Sequence, residues 1–203
     1  MKSKSDKLPL SFYQQESVTQ IARELIGTKL CSFKDGKLTS GIITETEAYE
    51  GITDKASHAY NNRRTARTEI MFGEGGHAYV YLCYGMHHLF NVVTNIEGIP
   101  DAVLVRAIYP TDGTETMKHR TGKKQFGHRA TNGPGKLSRA LGIQVSNTGE
   151  SLTGNKIWIE KPRVLIDKSD IIAGPRIGVD YAGKDALLPY RYCLNPDLIK
   201  TAF

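Results

Sequence analysis

The stretch Tyr79 to Asn91, YVYLCYGMHHLFN, restricts the fold more than any other part of the chain. Its apolar and aromatic residues alternate on either side of Tyr84-Gly85-Met86, the pattern of two antiparallel strands joined by a tight turn. Alternation puts Tyr79, Tyr81 and Cys83 on one face and Val80, Leu82 and Tyr84 on the other. One hairpin thus shows aromatics two ways: Tyr81 toward a pocket under the sheet, Tyr84 outward at the tip beside a flexible Gly85. Two readings fit. Tyrosines on strands are ordinary sheet and core residues, or they are the platform and the wedge of a protein that extrudes a base from a duplex.

The rest of the chain supplies a frame for this hairpin. Val18, Ile21, Ala22, Leu25 and Ile26 follow helical spacing, with Ser17 as N-cap and Gly27 as the stop. TKLCSF and KLTSGIITETEAY then form a second hairpin around Asp35-Gly36. AVLVRAIYP is a further strand, a short helix is expected near Thr114 to His119, and NGPGKLSRALGI opens another helix with glycines and a proline. The segments NKIWIEK, RVLID and PRIGVDYAGKDALLPYRY read as strands and turns that close the domain. With no repeat or linker, 203 residues make one α+β domain around a curved, largely antiparallel sheet, with flanking helices and a protruding hairpin. Residues 1–10, rich in lysine, are expected to form a loose arm, and residues 11–203 the domain.

Charge and cysteines narrow the functional class. The 27 basic and 21 acidic side chains leave a net charge of +6, which suits a polyanionic partner. Cys31, Cys83 and Cys193 are odd in number and widely spaced, so neither a zinc site nor a disulfide framework is indicated. No apolar run reaches the length of a membrane span. A reducing cytosol is the expected setting.

Four places carry chemistry. In TETEAYEG, period two sets Ile43, Glu45, Glu47 and Tyr49 on one face, so a carboxylate stands beside an aromatic at a strand's exit. Such a glutamate is either solvated or a base in a cleft. Arg63, Arg64 and Arg67 interleave with Asn61, Asn62, Thr65 and Thr68 in a long loop, a composition suited to phosphate oxygens or simply to a solvated face. Arg106 interrupts an apolar strand and needs a partner when buried, with Glu47 the candidate; a structural ion pair explains it equally well. The helix after Gly133-Pro134-Gly135 offers its N-terminal amides and Lys136 to a phosphate, without the spacing of a P-loop. The pair His87-His88 after the hairpin tip reads as solvated surface.

The order ETEAY, SHAYNNRRTART, MF, YVYLCYGMHHLFN, VLVRA, NGPGKLSRAL and PRIGVDYAG closely resembles the alkyladenine (3-methyladenine) DNA glycosylase family, from about Val18 to Tyr192. The resemblance implies a base-excision repair enzyme that flips an alkylated or deaminated purine out of double-stranded DNA and hydrolyses its N-glycosidic bond. On the matching positions it implies Glu47 as general base, Arg106 and the Ile177 backbone carbonyl as holders of the attacking water, and Tyr49, His58, Tyr81 and Asn91 as the base pocket. It further implies Tyr84 as the intercalating wedge, and Arg63, Arg64, Thr65, Arg67, Met86 and Lys136 as contacts to the DNA backbone. No lysine is indicated as a Schiff-base nucleophile, and no metal or cofactor is called for. The expected enzyme is therefore a monofunctional, monomeric glycosylase that leaves an abasic site. Two rivals stand beside it: a non-catalytic nucleic-acid-binding module, and an N-ribosyl hydrolase acting on nucleosides or RNA. Glu47 together with Arg106 argues against the first, because a phosphate binder gains nothing from a carboxylate facing its ligand.

Overall fold

In the computed structural model, residues 6–123, 126–162 and 166–202 are described. Two short helices, α1 (Leu10–Tyr13) and α2 (Val18–Glu24), come first. The Ser17 hydroxyl accepts from the Gln20 N–H at 3.2 Å, which is the expected cap, and α2 buries Val18, Ile21 and Ala22. Next come β1 (Lys29–Lys34) and β2 (Lys37–Tyr49). Asp35 and Gly36 between them have φ of 54° and 71°, the positive values that a two-residue hairpin turn demands.

Residues 50–77 form no strand, only two single 3-10 turns at Tyr60–Asn62 and Glu69–Phe72. The sheet resumes with β3 (Ala78–Cys83), β4 (His87–Thr94) and β5 (Asp101–Pro110). Helices α3 (Thr114–Thr121), α4 (His128–Thr131) and α5 (Pro134–Leu141) follow, then β6 (Ile157–Glu160), β7 (Ile171–Gly174), β8 (Arg191–Leu194) and α6 (Pro196–Ala202). The strands form one eight-stranded antiparallel sheet in the order β3-β4-β5-β2-β1-β6, with β8 joining β2 to β7. This is the single mixed α+β domain expected.

Strand β2 organises the sheet because it is paired on both edges almost throughout. β5 runs along one edge from Gly41 to Tyr49, while on the other β1 reaches Ile42 and β8 takes over at Glu45 to Glu47. Glu47 therefore lies in the middle of a sheet, where only a polar pocket makes a carboxylate tolerable. The β2–β5 ladder is interrupted on both sides of Glu45, a bulge of the kind that re-aims side chains. Ile43 lies before it in the main apolar core, with Val103, Val105 and the buried side of α2. Strand β3 is outermost. Thr148 to Glu150 lies along its edge, with Ala78 N–H donating to the Glu150 carbonyl (2.9 Å) and Val80 N–H to Thr148 Oγ1 (3.1 Å).

Several expectations need correction. The arm is not loose from Asp6 onward: Leu8 N–H donates to the Ile159 carbonyl and Lys161 N–H to the Asp6 carbonyl, so it lies along β6. Lys2 and Lys4 fall outside the described residues. Within PRIGVDYAGKDALLPYRY, Asp180–Leu187 is a 3-10 stretch kinked at Gly183, and only the segment's end enters β8. Of RVLID, residues 163–165 lie outside the described residues, and Ile166 and Asp167 are not in a strand.

Candidate active site

Glu47 has no solvent exposure, and three donors converge on its carboxylate. Arg106 Nη1 from β5 lies 3.3 Å from Oε1, the Ile177 N–H donates to Oε1 at 2.8 Å, and the Tyr49 hydroxyl donates to Oε2 at 2.8 Å. Burial pushes the carboxyl above its ordinary range, opposed by Arg106, then by the Ile177 N–H and the Tyr49 hydroxyl. Two obligate donors, the Arg106 guanidinium and the Ile177 N–H, together with the Tyr49 hydroxyl favour the ionised form, while burial raises the pKa overall. Arg106 has a second and closer partner: its Nε donates to Glu45 Oε1 at 2.9 Å, and Arg191 Nη1 reaches the same oxygen at 3.2 Å. Burial opposes the Arg106 charge, but Glu47 and Glu45 outweigh it and hold the guanidinium protonated. Glu45, Glu47 and Tyr49 thus share a face, as alternation requires. Ile177 meets Glu47 through its N–H, a contact additional to the one expected of its carbonyl, which was to the attacking water.

Tyr49, Arg106 and Ile177 also line a cleft of about 430 Å³, so the carboxylate lies just beneath the floor of that cleft. The walls are His58, Tyr79, Tyr81, Leu89, Asn91 and Met71. His58 meets Tyr81 edge-on, with ring centroids 4.7 Å apart. Arg67 Nη2 lies 2.8 Å from His58 Nε2 and 3.1 Å from Nδ1, and Nδ1 lies 2.9 Å from the Tyr79 hydroxyl. Burial, then Arg67 and Arg63, lower the His58 pKa to about 4 and keep the ring neutral. Asn91 is buried, and its amide donates to the Tyr79 and Leu89 carbonyls at 3.1 and 3.2 Å. Both amide protons are thereby engaged, which leaves Oδ1 as the acceptor.

The hairpin tip departs from strict alternation. Tyr84 has φ of 51° and Gly85 of 69°, and the Met86 N–H closes the turn on the Cys83 carbonyl at 3.2 Å. That left-handed step carries Tyr84 off the Val80–Leu82 face to the rim of the cleft, where it is 88 % exposed. Met86 is exposed beside it. His87 lies at the cleft mouth against Gly135, while His88 is half-buried and accepts the Val145 N–H at 3.3 Å, so it is not the solvated residue expected.

The expected backbone-contact residues divide. Arg63 and Lys136 are exposed, and neither side chain has an ion-pair partner among the described residues. Arg64 is held by Glu69 through two hydrogen bonds, at 2.9 and 2.6 Å. Thr65 bonds Thr68. Arg67 lies over the Tyr81 ring at 4.8 Å and on His58, so it braces the pocket wall. Sequence reading missed Arg176 and Asp54, a fully buried ion pair behind Tyr49. A buried arginine in GPRIG is a signal that a carboxylate is needed, but nothing in the sequence says which one.

Against this geometry the comparisons are specific. The family model described as "Methylpurine-DNA glycosylase" matches residues 11–197. A Bacillus cytotoxicus protein is 47% identical over 204 residues, which cover 96% of this chain and 100% of that protein. One from Chlamydia pneumoniae is 46% identical over 187 residues, 92% of this chain and 94% of its own. Both are named "Putative 3-methyladenine DNA glycosylase".

Proposed function

Because the chain belongs to the methylpurine-DNA glycosylase family and is a DNA glycosylase, we propose that it flips damaged purines out of duplex DNA and hydrolyses the N-glycosidic bond with Glu47 as general base. The observation that carries this reading is the buried carboxylate beneath an aromatic cleft, reached by Arg106, the Ile177 N–H and the Tyr49 hydroxyl. Departure of the base builds positive charge on the sugar, which a carboxylate nearby stabilises. Glu47 then takes a proton from the water that attacks C1′. In the resting site the Tyr49 hydroxyl occupies Oε2, so the water must share or displace that hydrogen bond.

Substrate range follows from the walls. The base stacks on Tyr81 and Tyr49 with His58 at its edge, and Asn91 screens the purine edge by its acceptor. A base such as 3-methyladenine or 7-methylguanine carries a formal positive charge and leaves readily, and its charge favours tyrosine faces. Neutral lesions such as hypoxanthine and ethenoadenine rely on stacking, hydrogen bonds and protonation of the leaving base. Tyr84 fills the vacated stack, and Arg63 and Lys136 neutralise phosphates. The protein works as a monomer, without a metal or lyase step.

The test is a single-turnover reaction on labelled duplexes carrying hypoxanthine, ethenoadenine or 7-methylguanine, followed by alkali. Strand cleavage that appears only after alkali is the expected result. Cleavage without alkali would mean a lyase, and no excision of any lesion despite duplex binding would overturn the proposed substrate range.

A further inference from the structure

Arg176 and Asp54 are sealed from solvent, their side chains having no exposure, and neither touches the cleft. Arg176 Nη1 and Nη2 both bind the Asp54 carboxylate, Nη1 also donates to the Ala48 carbonyl at 2.9 Å, and Nη2 to the Asp185 carbonyl at 3.0 Å. The guanidinium lies 4.8 Å from the Tyr49 ring and 5.3 Å from that of Tyr190. Asp54 in turn accepts the Ala56 N–H at 2.9 Å, two residues before His58.

These contacts close a ring. Glu47 is held by the Ile177 N–H, Ile177 is bonded to Arg176, Arg176 is bound to the Ala48 carbonyl, and Ala48 is bonded to Glu47. A buried ion pair is weak as a source of stability, because desolvation offsets much of the attraction. Its placement is informative instead: it joins β2 to two loops beside the peptide whose N–H meets Glu47.

We propose that Arg176, locked by Asp54, is a positioning residue that holds the Ile177 N–H on Glu47 and the ring of Tyr49 in place, and so sets the pH above which Glu47 works as a base. This rests on the reading of Glu47 as general base. The other groups around Glu47 are Glu45 and Tyr49 on β2, Arg106 on β5, Arg191 and Cys193 on β8, and Tyr181 in the loop. Arg106 and Tyr49 keep their own hydrogen-bonding groups when the ring is opened at Arg176. The expected change is therefore loss of one donor, which favours the protonated carboxyl.

The experiment compares wild type with Arg176→Lys, Asp54→Asn and Ile177→Pro, the last removing the N–H together with the isoleucine side chain and constraining the backbone at 176–177. Single-turnover excision of 7-methylguanine is followed against pH, since a base already cationic needs no proton and the profile reports Glu47. Carbon-13 NMR of the Glu47 carboxyl is titrated in parallel without DNA. All three variants should move the acid limb and the Glu47 titration upward by about one pH unit, a roughly tenfold loss of rate below the limb that is recovered above it. An equal loss at every pH with the Glu47 titration unmoved would mean a merely structural pair and overturn the proposal. So would a shift in Ile177→Pro alone. If no variant and not even wild type excises a base, the function fails, while the NMR titration still decides whether Arg176 governs Glu47.

Discussion

On the β2–β5 side of the cleft, Glu47 and Tyr49 stand on a paired strand, and Arg106 stands on the partner strand at the bulge opposite Glu45. On the facing side, His58, Arg67 and Ile177 stand on loops with scarcely any ladder. There the backbone is fixed by side chains: Arg176 on Asp54, Asp54 on the Ala56 N–H, Asp185 on the Lys55 N–H, Arg67 on His58 and Tyr81. The difference teaches that the two sides fail differently. Changing a cleft residue on the strand side removes chemistry and leaves the frame, whereas changing a brace on the loop side removes the frame.

The largest expected effect lies on the strand side. Glu47→Gln should lower single-turnover excision by about 10²- to 10⁴-fold while its thermal melt and damaged-duplex binding stay close to wild type. Intact turnover would end the assignment. On the loop side, Asp54→Ala strands a buried guanidinium and should cost about 3–5 kcal/mol of stability by denaturant titration. A loss as small as a surface substitution would remove the contrast between the two sides.

Titration of His58 sharpens the same comparison. Its folded pKa of about 4 lies below the ordinary 6.5, so its contribution to stability is full above pH 6.5 and is lost as pH falls toward 4. Unfolding followed from pH 7 to 4 should show wild type losing up to about 3 kcal/mol more than His58→Gln. Equal pH dependence of the two would mean that the loop accommodates a charged ring. The smallest effect belongs to the hairpin tip. Tyr84→Gly keeps a residue suited to positive φ, so the melt should hold. Excision of a paired lesion should drop on the order of tenfold, with little change in single-stranded substrate.

What was legible in the sequence follows the same division. Period two in ETEAY brought Glu45, Glu47 and Tyr49 to one face, and Arg106 met the carboxylate that its apolar strand called for. Tyr84 stands outward at the tip as the sequence suggested, but its left-handed backbone takes it out of the alternation that grouped it with Val80 and Leu82. The Arg176–Asp54 contact spans 122 positions between two non-periodic loops, and no local pattern encodes such a pairing. Arg67, read as a phosphate contact from composition, braces His58 and Tyr81, because composition names the donors but not their acceptors. The resemblance assigned the Ile177 carbonyl to the attacking water, and the contact of its N–H with Glu47 is known only from the geometry.

The closed edge of β3 bears on how this protein behaves in a crowded solution of its own copies. An outer strand with idle N–H and carbonyl groups is a template for another strand and a route to aggregates. Here Thr148 to Glu150 occupies those groups at Ala78 and Val80. Only the far end of the hairpin, with its apolar Leu82, Tyr84 and Met86, remains uncovered. An exposed apolar tip is thus carried on a strand whose base is already paired, so that this edge offers no free template at Ala78 and Val80 to another copy.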